Sequence, residues 1–276
     1  MHLCDFAVGT SVGPMKWKTF VTGYVLALAL LLFAQRRPNT TATPVFSRVI
    51  DLTQTISEHS PNWEGSIPSP FQAKQVATID KDGYFARAIS LPEHFSTHID
   101  APAHFARGLW TVDQIPPERL IAPLAVIDVS EKVRSNPDYQ LNVDDIAAWE
   151  QVNGQIPMGS AVFASTGWAT RWPSMKDYRG ADERGIMHFP GYSPQAAKFL
   201  VEGRNIVGLG IDTLSVDAGT ATDFPVHHFT MGHSVYHVEN ATNLTKVPPT
   251  GAIVVVAPAK LQGGSGGPVR VLALVR

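Results

Sequence analysis

Thiol chemistry is nearly missing from this sequence: its 276 residues contain one cysteine, Cys4. No intrachain disulfide can form and no thiolate metal site can be built, so any metal centre must use imidazole and carboxylate. Charge of one sign is lacking too. Twenty-two basic residues face 24 acidic ones, a formal net charge of -2. A nucleic-acid surface needs a clustered basic excess, so nucleic acid is excluded as a partner. There is no internal repeat. The glycine-rich stretch LQGGSGGP has neither the lysine nor the following helix of a phosphate loop, and it is read as a turn.

No uninterrupted apolar run reaches the ~20 residues of a full membrane span. The longest candidate, TFVTGYVLALALLLFA at 19 to 34, follows Lys16 and Lys18 and precedes Arg36 and Arg37. A basic start, a short apolar core and Ala34 near its end fit a signal peptide beginning effectively at Met15, or an uncleaved anchor. A buried core helix fits less well, because the polar linker RRPNTTATP follows at once. Residues 1–44 are therefore expected to export the chain, to the periplasm or outside the cell, or to tether it to a membrane. Residues 45–276 are expected to form the functional domain.

That domain has ordinary globular material: 44% of the whole chain is hydrophobic and 17% charged, enough for a core. Its 21 prolines and 22 glycines, counted over the whole chain, imply many turns. VFSRVIDLTQTI and YFARAISLP read as strands, and LAVIDVS and SAVFASTG as short buried ones. IVGLGID, HSVYHVEN, GAIVVVAPAKL and VRVLALV complete the set. NVDDIAAWEQV predicts a helix capped by Asn142. SPQAAKFLVEG predicts another, capped by Ser193, with Pro194 at its first position and Gly203 after its end. The total is strand-rich with two or three helices, an α/β or α+β class.

The chemistry concentrates in EHFSTHIDAPAHF, residues 93 to 105, which holds His94, His98, Asp100 and His104. The four-residue step from His94 to His98 matches a zinc-protease helix, but Phe95 stands where that motif needs glutamate, and Pro102 breaks a helix. All four polar positions are even-numbered, so an extended chain would place them on one face. A straight strand of this length would separate its ends by ~33 Å. The chain must bend for the donors to meet, and Ala101, Pro102 and Ala103 are suited to the bend. Three imidazoles and a carboxylate are good ligands for Zn2+ or Mn2+. A lone histidine would be read as a packed or hydrogen-bonded one; four donors in eleven positions favour a metal.

A second group lies in DFPVHHFTMGHSVYHVEN: His227, His228, His233, His237 and Glu239. Not all can be ligands. After Gly232, parity places His233, His237 and Glu239 on one face of a strand. His233 and His237 are read as surface or packing residues.

Together, in this order, the two groups resemble the metal-dependent cyclase-like hydrolases, which include bacterial kynurenine formamidase and isatin hydrolase. The first family signature is complete as His94, His98, Asp100-Ala101-Pro102 and His104. The second matches His227 with Glu239 twelve residues later; His228 is one residue out of register. The likeness spans roughly residues 48 to 276. Phe95-Ser96 departs from it, where many members carry a small residue and glycine. The resemblance implies a swivelling β/β/α domain assembled as dimers or higher homo-oligomers. It implies one or two ions, Zn2+ or Mn2+: a first held by His94, His98 and Asp100, a second by Asp100, His104, His227 and Glu239.

Amide hydrolysis is the implied chemistry. His104, His227 or Glu239 would handle the proton that the leaving nitrogen needs. The implied substrate is a small aromatic amide, with N-formylkynurenine placed first and a cyclic amide or lactone such as isatin second. A third reading is a metal-binding protein without catalysis. A ring substrate needs apolar walls, and Trp63, Phe95, Phe105 and Tyr192 are the candidates by position.

Overall fold

Apolar alternation builds most of this molecule. The computed structural model describes residues 45–276; the cysteine, the apolar segment at 19–34 and the linker after it lie outside the described residues. Contacts gather Phe46–Arg276 into one unit.

In chain order, β1 (Arg48–Asp51) is followed by a hairpin of β2 (Gln72–Ala77) and β3 (Ala86–Ser90), with the short α1 (Ile79–Asp82) at its tip. Next come β4 (His98–Asp100), β5 (Ile121–Asp128), α2 (Ser130–Ser135), β6 (Gln140–Leu141) and α3 (Val143–Asn153). Then follow β7 (Ala161–Ser165), α4 (Met175–Arg179), β8 (Gly191–Tyr192), α5 (Pro194–Arg204) and β9 (Gly208–Ile211). The chain ends with α6 (Pro225–Gly232), β10 (Tyr236–Glu239), β11 (Ala252–Pro258) and β12 (Gly266–Val275).

The main sheet runs β1-β12-β11-β5-β7-β9-β10-β4, and β4 also pairs with the start of β12. That extra pairing closes the sheet into a barrel, leaving β1 beside the far end of β12. Closure removes the open edges that a flat sheet would expose. β5, β7, β9 and β10 are parallel neighbours, while β4, β11 and β12 join antiparallel. The class is mixed α/β, as the residue pattern implied. Closure itself was not visible in that pattern.

Alternation then sorts the side chains. Ile99, Leu124, Phe163, Val238, Val254 and Val271 fill the barrel interior. Their neighbours Ala125, Ile127, Val162, Ala164, Leu209 and Ile211 face the other way, against a layer that includes Ile146, Trp149 and Leu200 of α3 and α5. The parallel strands β7 and β9 are buried on both faces, which is why they read as continuous apolar runs.

Helix α3 starts where expected: Asn142 accepts from the Asp145 N–H, and Asp145 returns the bond to the Asn142 N–H. Ser193 caps α5 in the same way, accepting from the Ala196 N–H. Two local readings change. Gly203 lies inside the last turn of α5, and the left-handed cap is Asn205, at φ 50°. The end of LQGGSGGP is not turn but strand, because Gly266–Pro268 pairs with His98–Asp100. Among the described residues, no helix is long and apolar enough to cross a membrane.

Candidate metal centre

Strand β4 is only three residues long, yet it carries two of the expected donors. His98 and Asp100 flank Ile99, which points into the barrel, so both side chains point out of it. β10 lies alongside in register, with His237 opposite Asp100 and Glu239 opposite His98. Directly paired residues share a face, so the ladder itself brings four donors together.

His94 reaches the same place from a turn. The backbone reverses at Ser96, at φ 58°, a left-handed conformation that glycine adopts more readily. The departure noted at Phe95-Ser96 falls on this residue. Room for the His94 ring comes from Gly266: a Cβ there would lie 2.5 Å from His94 Cε1. After Asp100 the chain bends, and Pro102–His104 forms a 3-10 turn that carries His104 back to stack on His94, with ring centroids 3.9 Å apart. His227 comes from α6. Asp217 accepts the Val226 and His227 N–H groups at that helix start and also bonds His227 Nδ1 at 2.6 Å.

The hydrogen bonds assign the ring nitrogens. His98 Nδ1–H donates to Ser96 O at 2.9 Å, and His227 Nδ1–H donates to Asp217. Ser265 Oγ donates to Glu93 Oε2 at 2.7 Å, so it accepts from His94 Nε2–H at 2.9 Å. In each ring the second nitrogen turns to the carboxylates. His94 Nδ1 lies 2.6 Å and His98 Nε2 3.0 Å from Asp100 Oδ1. His98 Nε2 is 3.5 Å from Glu239 Oε2, and His227 Nε2 is 3.4 Å from Glu239 Oε1 and 3.7 Å from Asp100 Oδ2.

Two groups of donor atoms result, each with all its atoms within 4.8 Å of one another: Asp100, His227, His237 and Glu239, and His94, Asp100 and His104. Asp100 belongs to both. This partition differs from the one the resemblance implied, since His104 groups with His94 and His237 joins His227 and Glu239. Of the surface and packing roles read for His237, burial excludes the surface one: it is 0% exposed, with Nδ1 4.0 Å from Asp100 Oδ2. Parity puts it on the face of Glu239, and the β10–β4 pairing sets that face beside Asp100. His233 is exposed at the end of α6, with Nδ1 donating to Phe229 O. His228 is exposed too, set edge-on to Phe105.

Electrostatics fit a cation. Burial pushes the His98 imidazole down, but Asp100 and Glu239 outweigh it and raise it to about 9. Burial pushes Asp100 up, and the imidazoles of His98, His227 and His94 pull it well below the usual carboxylate range. Burial and the Asp100 charge both raise Glu239. Asp100 Oδ2 and His237 Nδ1 are buried without a hydrogen-bond partner among the described residues. Two close carboxylates ringed by ring nitrogens, two of whose atoms lack partners, suit an oxygen- and nitrogen-loving dication.

A cleft of about 360 Å³ opens onto these donors. Trp63, Phe95 and Phe105 line it, as expected from their positions, together with Phe224. Trp63 and Phe224 stand 5.8 Å apart by ring centroids, and Phe105 and Phe224 5.6 Å. Tyr192 does not reach the cleft. It is buried in the core, where its hydroxyl donates towards Val162 O and Gly210 O. Reading the sequence missed Phe224, which sits at φ 46° just before Pro225. It also missed the anchors Glu93, Ser265, Asp217 and Thr230, whose partners lie up to 172 positions away.

Relatives decide the family. A family model described as "Putative cyclase" matches residues 50–218. The chain belongs to the cyclase family. Isatin hydrolase of Roseibium aggregatum is 35% identical over 244 residues, 82% of this chain and 91% of that protein. Kynurenine formamidase of Salinibacter ruber is 24% identical over 222 residues, 80% of this chain and 95% of that one. A crystal structure of an isatin hydrolase bound to the product analogue thioisatinate superposes with TM-score 0.78 at 31% identity, covering 95% of this chain and 99% of the other. This cyclase-family chain is a hydrolase, and its buried Asp/His/Glu set is of the kind that binds a metal.

Proposed function

We propose that this cyclase-family hydrolase opens the carbonyl–nitrogen bond of an aryl amide, with a cyclic, isatin-like amide ahead of N-formylkynurenine. The carrying observation is the aromatic cleft that ends on the dication donor set. The isatin hydrolase relative, 35% identical against 24% for the formamidase, orders the two substrates. That order reverses the one drawn from the motifs alone, which carry the reaction class but not the ring.

His94, His98, Asp100, His104, His227, His237 and Glu239 are the residues available to hold one or two ions, Zn2+ or Mn2+. A bound dication supplies Lewis-acid charge that acidifies water towards a pKa of ~7 and polarises a carbonyl. The chain does the rest. Trp63, Phe105 and Phe224 hold the aryl ring, and the walls exclude bulk water. Asp217 and the Glu93–Ser265 pair fix the tautomers of His227 and His94, so that unprotonated nitrogens face the centre. Where it does not itself hold an ion, His104, exposed at the mouth, is placed to pass a proton to the departing nitrogen. In balance, the oxygen of water joins the carbonyl carbon, the carbon–nitrogen bond breaks, the nitrogen takes one proton from that water, and the other proton leaves to solvent. A cyclic amide then leaves as one molecule bearing a carboxylate and an aryl amine.

The deciding experiment assays isatin, N-formylkynurenine and a simple lactone against the chelator-stripped enzyme reloaded with Zn2+ or Mn2+. The proposal expects isatin to give the highest kcat/KM and Trp63→Ala to raise its KM by about tenfold, from ~1–1.5 kcal/mol of aromatic contact. Turnover of the lactone alone would defeat it. Assembly into a homo-oligomer is part of the same reading: the β2–β3 hairpin projects Val76, Ile79, Tyr84, Phe85 and Ile89, each at least 58% exposed.

A further inference from the structure

We propose that His237 is a metal ligand, giving its Nδ1 to the ion that Asp100, His227 and Glu239 surround; this rests on the metal-dependent reading above. One hydroxyl proton decides the His237 tautomer. Thr230 Oγ1 lies 2.7 Å from Val226 O, the carbonyl one turn earlier in α6, and donates to it. Its oxygen also lies 2.6 Å from His237 Nε2. With its proton spent on Val226, the hydroxyl can only accept there, so Nε2 carries the hydrogen and Nδ1 presents a bare lone pair.

That lone pair faces an equally bare acceptor. Asp100 Oδ2 is 4.0 Å from His237 Nδ1, and neither atom has a hydrogen-bond partner among the described residues. His237 is 0% and Asp100 1% exposed. Two buried acceptors turned towards each other with no proton between them are costly to bury, and a shared cation removes that cost. The juxtaposition is built into the backbone. His237 and Asp100 are cross-strand partners in the β10–β4 ladder, and Thr230 anchors the ring from α6.

His237 also approaches from a side that the other candidates leave free. His94, His98, Asp100, His104, His227 and Glu239 all line the cleft, and His237 does not. It therefore fills a position on the closed side of the ion and leaves the cleft side for substrate, as a catalytic centre requires. A neutral donor there adds a bond without adding charge.

The test uses the full chain, stripped with a chelator and titrated with Zn2+ or Co2+ against a chromophoric competitor. Wild type, His237→Leu and Thr230→Val are compared. Histidine-15N labelling of the wild type follows His237 before and after Zn2+ loading. The inference expects Zn2+ affinity to fall at least about 100-fold in His237→Leu, beyond the range of an outer-shell loss, and about 10-fold in Thr230→Val. It expects the Co2+ visible spectrum to change in His237→Leu. In the wild type, His237 is expected as the Nε2–H tautomer, with Nδ1 shifting on loading. Zn2+ binding within threefold of wild type in both variants, with Nδ1 unmoved on loading, would overturn it and leave the metal reading intact. A wild-type chain that binds neither ion would overturn both. If His237→Leu fails to fold, Thr230→Val and the wild-type Nδ1 shift still decide.

Discussion

Replacing Asp100 by asparagine keeps the shape of the one side chain common to both donor groups and removes its charge. The carboxylate is buried, with Oδ1 2.6 Å from His94 and 3.0 Å from His98, and Oδ2 3.7 Å from His227. Two unit charges 4 Å apart at an effective dielectric of 20 interact by ~4 kcal/mol, and a dication doubles that to ~8 kcal/mol. Relief of the buried carboxylate's desolvation returns several kcal/mol. A net loss of about 4 kcal/mol remains, close to a thousandfold in affinity. The amide group of asparagine would also aim an N–H at one pair of imidazole lone pairs, which adds to the loss. Competition titration with Zn2+ and Mn2+ and elemental analysis of the reloaded protein measure the effect, and far-UV circular dichroism confirms that the fold is kept. Binding within tenfold of wild type by Asp100→Asn, with turnover retained, would refute the ligand assignment and leave a hydrogen-bonded structural cluster in its place.

Three further outcomes are expected. Asp217→Asn removes the charged acceptor behind His227 Nδ1 and should weaken metal binding by about 10- to 100-fold, with little change in ring stacking in the cleft; unchanged affinity would show that the anchor has no electrostatic role. Glu150 pairs through both oxygens with Arg204 at 2.6 and 2.7 Å, and this pairing holds its carboxyl below the usual value of 4.5. A depressed folded pKa gives stability that is present above about pH 4.5 and is lost as pH falls through the lower folded value. Glu150→Gln should therefore lower Tm at pH 7 and flatten the acid limb below pH 4.5, and a parallel acid limb in both proteins would count against the pairing. Deleting residues 1–44 should leave a soluble, metal-binding domain, since β1 begins at Arg48 and Ser47 N already bonds Val275 O; an insoluble product would move the boundary.

Local rules made much of the chain legible. The helices beginning at Val143 and Pro194 carry their own caps, and β7 and β9 carry the apolar runs of doubly buried strands. Such signals act over a few residues, so a one-dimensional pattern holds them. The cluster from His94 to His104 belongs to the same class, because its donors are near neighbours along one bent segment. The sequence also determined the kind of centre possible: with Cys4 alone, only imidazole and carboxylate were available. What tertiary structure decided is everything set by pairing across the chain. His237 becomes a neighbour of Asp100 through antiparallel register over 137 positions, a relation that no local periodicity encodes. Thr230, Asp217 and Ser265 acquire their roles only when hydroxyl and carboxylate partners fix which imidazole nitrogen holds the proton. Tyr192 went to the core, where its ring packs in the layer outside the barrel and its one hydroxyl proton is shared between the Val162 and Gly210 carbonyls. Composition and spacing choose the donors; the closed barrel decides which of them meet, because a ladder hydrogen bond sets side-chain neighbours regardless of their distance in sequence.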